Sequence, residues 1–328
     1  MSPDVIPVRP GEEFDKAGLA EYLKSPLEVF QFPHGHSNLV YLIRAGRAEY
    51  VLRRPPLGPV APKAHDMGRE YRVLKAVHPH FPEAPKALAF CEDTSVIGAP
   101  FFLMERRHGT ILRDRAPANP RRVSETFLDC LIRLHAIDIS REELSVLGRP
   151  EGFLERQVRG WAGRWYAAQT EPSPLMDEIV AWLSGYIPPQ QRPTLIHNDY
   201  KLDNVILNAG EERIEAVLDW EMATLGDPLA DLGLTLCYWT NPSTAPALTS
   251  GEAWYSREEI IARYAEATGR DMTKMVYYEV LGIFKLAVIL QQIFFRYQRG
   301  QTNDERFRDF DTRVRELIRV AVGKMEQA

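Results

Sequence analysis

The sequence predicts an α+β fold in which an antiparallel-sheet lobe precedes a mainly helical lobe. Three observations carry this. The first third alternates short apolar runs with Gly- and Pro-bearing turns. The remainder carries long apolar patterns of helical period. The chain of 328 residues exceeds one ordinary domain, so two lobes are expected, divided as residues 1–107 and 108–328.

Taken in order, residues 15–24 read as a short amphipathic helix ended at Pro26, and residues 29–32 as a strand. A turn over residues 35–38 leads to a second strand, and a turn at 45–47 to a third over 50–54. A Pro/Gly-rich loop fills 56–65. Asp66 then caps a helix with Met67, Tyr71, Leu74 and Val77 at helical spacing. Strands follow at 87–91 and 101–104, and the polar segment 105–110 is the expected hinge. Beyond it the pattern gives helices over 120–137, 149–168 and 174–186, an apolar segment over 232–239, and three closing helices. The first of these starts on a capping box, Ser256 to Glu259. The second, 277–299, is apolar nearly all round, and the last covers 313–325.

Composition narrows the class. Hydrophobic residues at 45% suffice for a core, and 26% charged residues suit a soluble globular protein. A net charge of -5 gives no electrostatic footprint for nucleic acid. Cys91, Cys130 and Cys237 are odd in number and lack metal-ligand spacing, so reduced thiols of a cytoplasmic protein are expected. The acidic, Pro-broken start does not read as a signal peptide. The apolar run 280–297 is interrupted by Lys285, Gln291, Gln292 and Arg296, which fits a buried helix better than a membrane span.

The chemistry gathers in residues 195–233. Asp199 follows His197 and Asn198, Asn204 comes five residues later, and Asp219 ends the run V-L-D-W. Between them, apolar residues 205–207 and 214–218 flank a turn containing Gly210, a hairpin pattern. A hairpin joins its two ends, so Asn204 and Asp219 are expected side by side with Asp199 just outside. One carboxylate and one amide oxygen suit Mg²⁺, which takes few protein ligands and leaves room for phosphates. Asp199 is then free to accept the proton of an attacking hydroxyl. The plain alternative is an acidic hairpin with chance spacing.

This arrangement resembles the catalytic core of the kinase-like phosphotransferases, which protein kinases write H-R-D-x-x-x-x-N and D-F-G. Here it reads H-N-D-Y-K-L-D-N, then Asp219-Trp220-Glu221, then D-P-L-A-D-L-G over 227–233. The absence of D-F-G and the last motif resemble the small-molecule branch. That branch holds aminoglycoside phosphotransferases, choline kinases and, most similar here, the kinase-like domain attached to some acyl-CoA dehydrogenases. Asn198 departs from the glycine usual in the branch.

The resemblance implies a bilobal protein-kinase-like fold using ATP and Mg²⁺, with Asn204 and Asp219 as metal ligands and Asp199 as catalytic base. It places Ser37 and Asn38 in the nucleotide loop. Arg53 stands where the family has its phosphate-pairing lysine, with Glu70 as its ion-pair partner. For adenine it offers the Glu105 carbonyl and Arg107 N–H, with Met104 facing the ring plane. Lys201 matches a lysine that contacts the transferred phosphate, Asp231 an acid that ties down the loop, and Glu221 is a candidate extra metal contact. Each also has a plainer reading: Arg53 as a solvated strand end, Glu70 as a helix carboxylate, Lys201 as a loop lysine.

The expected acceptor is a small hydroxylated molecule. Aminoglycosides are polycations and call for an acidic cleft. The late helices instead offer Lys285, Arg296, Arg299, Arg306 and Arg308, and residues 243–250 carry no charge. An anionic or apolar hydroxylated acceptor fits better, and the resemblance to the acyl-CoA-dehydrogenase-linked domains implies a hydroxy acid or hydroxyacyl thioester. The alternatives are an aminoglycoside phosphotransferase and a non-catalytic nucleotide-binding pseudokinase. A protein kinase is disfavoured by the missing A-P-E segment. Neither nucleic acid nor membrane is expected as a partner, and oligomeric state is not legible.

Overall fold

The computed structural model describes residues 4–33, 38–57, 66–113, 115–240, 248–249, 251–302 and 304–328. Ser37 with most of its turn, most of the 56–65 loop and residues 241–247 lie outside the described residues. The chain forms two compact units. One holds Met1–Thr110, Val205–Ala209 and Ile214–Glu221; the other holds Ile111–Asn204, Gly210–Arg213 and Met222–Ala328.

The first unit is built on a five-stranded antiparallel sheet in the order β1-β2-β3-β5-β4. Its strands are β1 (Leu27–Gln31), β2 (Leu39–Ala45), β3 (Ala48–Arg54), β4 (Ala87–Cys91) and β5 (Phe101–Glu105). Side chains alternate across a strand. Tyr41, Ile43, Leu52, Phe101 and Leu103 therefore share one face, where they form a core with Leu19 of helix α1 (Lys16–Leu23). Arg53 follows Leu52 and points the other way, towards helix α2 (Met67–Val77), which packs on β4 and β5. Asp66 caps α2, its carboxylate accepting from the Arg69 N–H at 2.8 Å.

The division departs from a single cut after residue 107. The hairpin of β7 (Val205–Leu207) and β8 (Ile214–Val217) belongs to the sheet unit, although the sequence suggested the second lobe. Backbone hydrogen bonds explain why. Leu207 and Thr110 exchange two bonds of 2.8 Å, and the Val217 N–H donates to the Glu83 carbonyl at 2.7 Å.

The second unit is helical. It comprises α3 (Pro120–His135), α4 (Glu142–Ser145), α5 (Phe153–Ala168), α6 (Pro174–Gly185), α7 (Pro228–Thr240), α8 (Arg257–Thr268), α9 (Met275–Gln298) and α10 (Phe310–Met325). A short antiparallel pair, β6 (Thr194–Ile196) and β9 (Thr224–Gly226), precedes α7. Helix α9 is long and apolar enough to cross a membrane, yet most of it is buried in this unit against α5, α7 and α10. It is a core helix, as its all-round apolar pattern predicts. Helix α7 starts four residues earlier than its apolar run suggested, because Pro228 suits a first helical position and Asp227 accepts the Leu229 N–H at 3.0 Å. The Ser256 capping box forms with both of its bonds.

Two glycines let α7 and α9 meet closely. A Cβ at Gly233 would lie 2.3 Å from the Tyr278 carbonyl oxygen, and one at Gly282 would lie 2.9 Å from the Leu234 backbone. Overpacking of this kind forces the helices apart. Gly233→Ala is expected to lower stability by about 1–3 kcal/mol, read as a shift in the urea unfolding midpoint. An unchanged midpoint would show that the helix pair has slack.

Candidate active site

In the sheet unit, Arg53 is the centre of an ionic cluster. Its guanidinium lies 3.0 Å from Glu70 and 2.9 Å from Asp219. Arg53 and Glu70 are nearly fully buried, whereas the Asp219 side chain is 29% exposed and presents the open side. Burial works against the Arg53 charge, but Glu70, Asp219 and Glu221 more than offset it and raise its pKa. Burial, with Asp219 and Glu221, pushes the Glu70 pKa up against the downward pull of Arg53. Arg53 Nε and Glu70 Oε2 are buried without a hydrogen-bond partner among the described residues.

The segment after β8 is fixed by Trp220. Its ring is fully buried, packs edge-on to Phe81, and its Nε1–H donates to the Val217 carbonyl at 2.8 Å. Asp219 before it has φ of 69°, a left-handed conformation that aspartate tolerates better than most residues. Glu221 accepts from the Asn38 side-chain amide at 3.0 Å, and Arg69 binds the Glu221 carbonyl. These bonds bring Asn38, Arg53, Glu70, Asp219 and Glu221 together. Met104 is buried in β5, opposite Val51 and Ala87. The Glu105 carboxylate accepts from the Lys86 N–H at 2.6 Å and pairs with Arg107 at 2.8 Å. Arg107 also donates to the Pro82 carbonyl at 2.8 Å, so these two side chains staple the end of β5 in place.

In the helical unit, the loop after β6 hangs on Asp231. This fully buried carboxylate accepts the backbone N–H groups of His197 at 2.7 Å and Asn198 at 2.8 Å. It also meets His135 Nε2 at 3.1 Å. Burial pushes the Asp231 pKa up, but His135 and the loop more than offset this and hold it below the usual carboxylate value. Asn198 has φ of 66°. Its departure from glycine is tolerated because asparagine enters the left-handed region readily.

Asp199 emerges from this loop surrounded by donors. Lys201 Nζ lies at 2.9 Å, the Asn204 side-chain amide donates at 2.9 Å, and the Tyr238 hydroxyl donates at 2.8 Å. With its nitrogen committed to Asp199, Asn204 keeps its amide oxygen as the atom suited to a hard cation. Asn204 directly precedes β7 and Asp219 follows β8 by two residues, while the hairpin register pairs Val205 with Val217.

Tyr238 was not identified from the sequence, which gave only an apolar segment there. Burial and the neighbouring Asp199 raise its pKa well above that of free tyrosine. A signal was present: Asp231, Thr235 and Tyr238 are polar at i, i+4 and i+7 on an apolar helix, hence on one face. All three serve the loop, Thr235 by donating to the Tyr200 carbonyl at 3.1 Å. Lys285, read from sequence as a cation available to the acceptor, is instead buried and donates to the Asn198 carbonyl at 2.7 Å.

Asp231→Ala is expected to cost about 2–5 kcal/mol at neutral pH by leaving two buried N–H groups unpaired. Because the folded pKa is depressed, this contribution is complete above the unfolded value of 3.8 and fades as pH falls through the folded one. Urea unfolding of both proteins at pH 7 and in acid checks this; the difference should narrow in acid.

The comparisons with known proteins follow the same lines. The model of the Phosphotransferase enzyme family matches residues 28–272. Acyl-CoA dehydrogenase family member 10 of Mus musculus is 33% identical over 327 residues, covering 92% of this chain and 30% of that protein. Acyl-CoA dehydrogenase family member 11 of Homo sapiens is 33% identical over 326 residues, covering 92% of this chain and 42% of that protein. The chain thus spans less than half the length of these curated relatives. A crystal structure from Ralstonia eutropha, provisionally assigned as an aminoglycoside phosphotransferase, has a TM-score of 0.80 at 28% identity, covering 96% of this chain and 99% of that one. An aminoglycoside phosphotransferase in complex with AMP-PNP and hygromycin B shares the fold at a TM-score of 0.62 and 18% identity, covering 93% and 98%. The chain belongs to the phosphotransferase enzyme family and has its kinase-like α+β fold.

Proposed function

We propose that this chain transfers the γ-phosphoryl group of ATP, with Mg²⁺, to the hydroxyl of a small molecule of the hydroxy-acid or hydroxyacyl-thioester class. The observation that carries the reading is Asp199. Its carboxylate is oriented by Lys201, Asn204 and Tyr238 on a loop pinned by a buried acid, yet its side chain stays 18% exposed. A protein that only binds nucleotide has no use for a carboxylate held and presented in this way.

In this mechanism Asp199 orients the acceptor hydroxyl and takes its proton as the oxygen attacks the γ-phosphorus. The new O–P bond forms as the bond to the β–γ bridging oxygen breaks, and ADP carries away that electron pair. Lys201 stabilises charge on the moving group. Arg53, braced by Glu70, orients the α/β-phosphates, and Ser37 and Asn38 contribute to the nucleotide loop. Met104 faces adenine, with the Glu105 carbonyl and Arg107 N–H as its backbone partners. The Asn204 amide oxygen and the partly exposed Asp219 carboxylate fit the hard donor set of Mg²⁺, which would neutralise phosphate charge.

The nucleotide assignment draws support from the AMP-PNP complex of a protein with this fold. The acceptor class draws support from relatives named as acyl-CoA dehydrogenase family members. A non-catalytic nucleotide binder is the second reading, favoured by the ion pair that engages Asp219 with Arg53.

Turnover across a panel of hydroxy acids, hydroxyacyl thioesters, aminoglycosides and choline, with and without chelator, separates these readings. Asp199→Ala is expected to lower turnover by roughly 10²–10⁴-fold with nucleotide affinity retained. Undiminished turnover in that variant would sink the base assignment. Asp219→Ala is expected to abolish Mg²⁺-dependent nucleotide binding, and unchanged calorimetric titrations would remove it as a metal ligand.

A further inference from the structure

We propose that Lys285 is a positioning residue for Asp199: from the middle of α9 it holds the peptide that enters the candidate base. The inference rests on the reading of Asp199 given above. Lys285 is 5% exposed and makes no ion pair with a carboxylate among the described residues. Its ammonium donates to the Asn198 carbonyl at 2.7 Å and lies 3.3 Å from the Asn198 side-chain oxygen. The Trp161 ring centroid is 5.6 Å away, and a cavity of only about 10 Å³ adjoins the group.

A buried ammonium with no carboxylate in ion-pair contact among the described residues is an expensive core residue, and methionine would fill the same space without burying a charge. What the charge provides is a hold on one peptide. Asn198 has every polar group engaged: its N–H by Asp231, its side-chain amide nitrogen by the Met222 carbonyl at 3.2 Å, and both its oxygens by Lys285. The next N–H, that of Asp199, donates to His197 Nδ1 at 3.3 Å. The peptide between Asn198 and Asp199 is therefore gripped at both ends while Asn198 sits at φ of 66°. Releasing its carbonyl frees that peptide to rotate and takes the Asp199 side chain with it. The groups around Lys285 fit this role. Burial lowers its pKa to about 8, Asp199 and Asp231 raise it, and Arg164 and Lys201 lower it, so the charged donor persists at neutral pH.

The test compares wild type with Lys285→Met and Lys285→Gln, the latter keeping a neutral N–H donor. The expected result for Lys285→Met is a melting temperature close to wild type, relief from burying the charge offsetting the donor lost to the Asn198 carbonyl, and kcat lower by about 10–100-fold. KM for ATP should be unchanged, and Lys285→Gln should recover part of kcat. A residue that merely supports the fold would instead lower the melting temperature. Unchanged kcat in a folded Lys285→Met protein overturns the inference, as does a kcat loss that only tracks instability, or failure of both variants to fold. Hydrogen exchange across residues 197–201 supplies a readout without activity: it should quicken in Lys285→Met, and unchanged protection overturns the inference. Wild type that transfers no phosphate would defeat the functional reading while leaving the exchange measurement decisive for Lys285.

Discussion

Everything in the helical unit's site depends on one buried carboxylate accepting two consecutive backbone N–H groups. Asp231 sits on rigid α7 and holds His197 and Asn198 by their amides, with His135 as a third contact. A loop cannot satisfy its own inward-facing N–H groups as a helix or sheet does. An acid from a neighbouring helix does so here, and thereby defines the path into Asp199. The charge on Asp231 is retained inside the core because three donors converge on it. Tyr238 and Thr235, on the same face of α7, extend the arrangement to the Asp199 side chain and the Tyr200 carbonyl.

The sheet unit answers a different electrostatic problem. Arg53 is buried with Glu70 on one side and the more exposed Asp219 on the other. Arginine suits this position because its planar fork can meet two carboxylates at once, which a lysine ammonium does with less geometric control. The strand alternation that sends Leu52 into the core sends Arg53 to the α2 face, so packing and ion pairing are set by the same register.

Much of this was legible in the sequence. The hairpin pattern and the Asp66 and Ser256 caps are local signals, and the structure contains all three. Tyr238 and Lys285 escaped because each lies on an apolar helix far along the chain from the loop it serves. Periodicity places a residue on a face without saying what that face meets. Lys285 was misread for the same reason: charge suggests solvent unless a partner is known, and its partner is a carbonyl that any residue could supply. The sheet unit's claim on the β7–β8 hairpin was equally hidden, since it rests on backbone bonds to Thr110 and Glu83 that leave no side-chain signature.

That hairpin makes the two units inseparable as chain segments. The backbone passes from one unit to the other after residues 110, 204, 209, 213 and 221. A truncation after Thr110 would strip the sheet unit of a strand partner and of Trp220, while the remaining fragment would carry an orphaned hairpin with apolar strands. The threaded connectivity leaves β8, Asp219 and Trp220 in segments that follow the first stretch of the helical unit, so no single cut of the chain separates the two units.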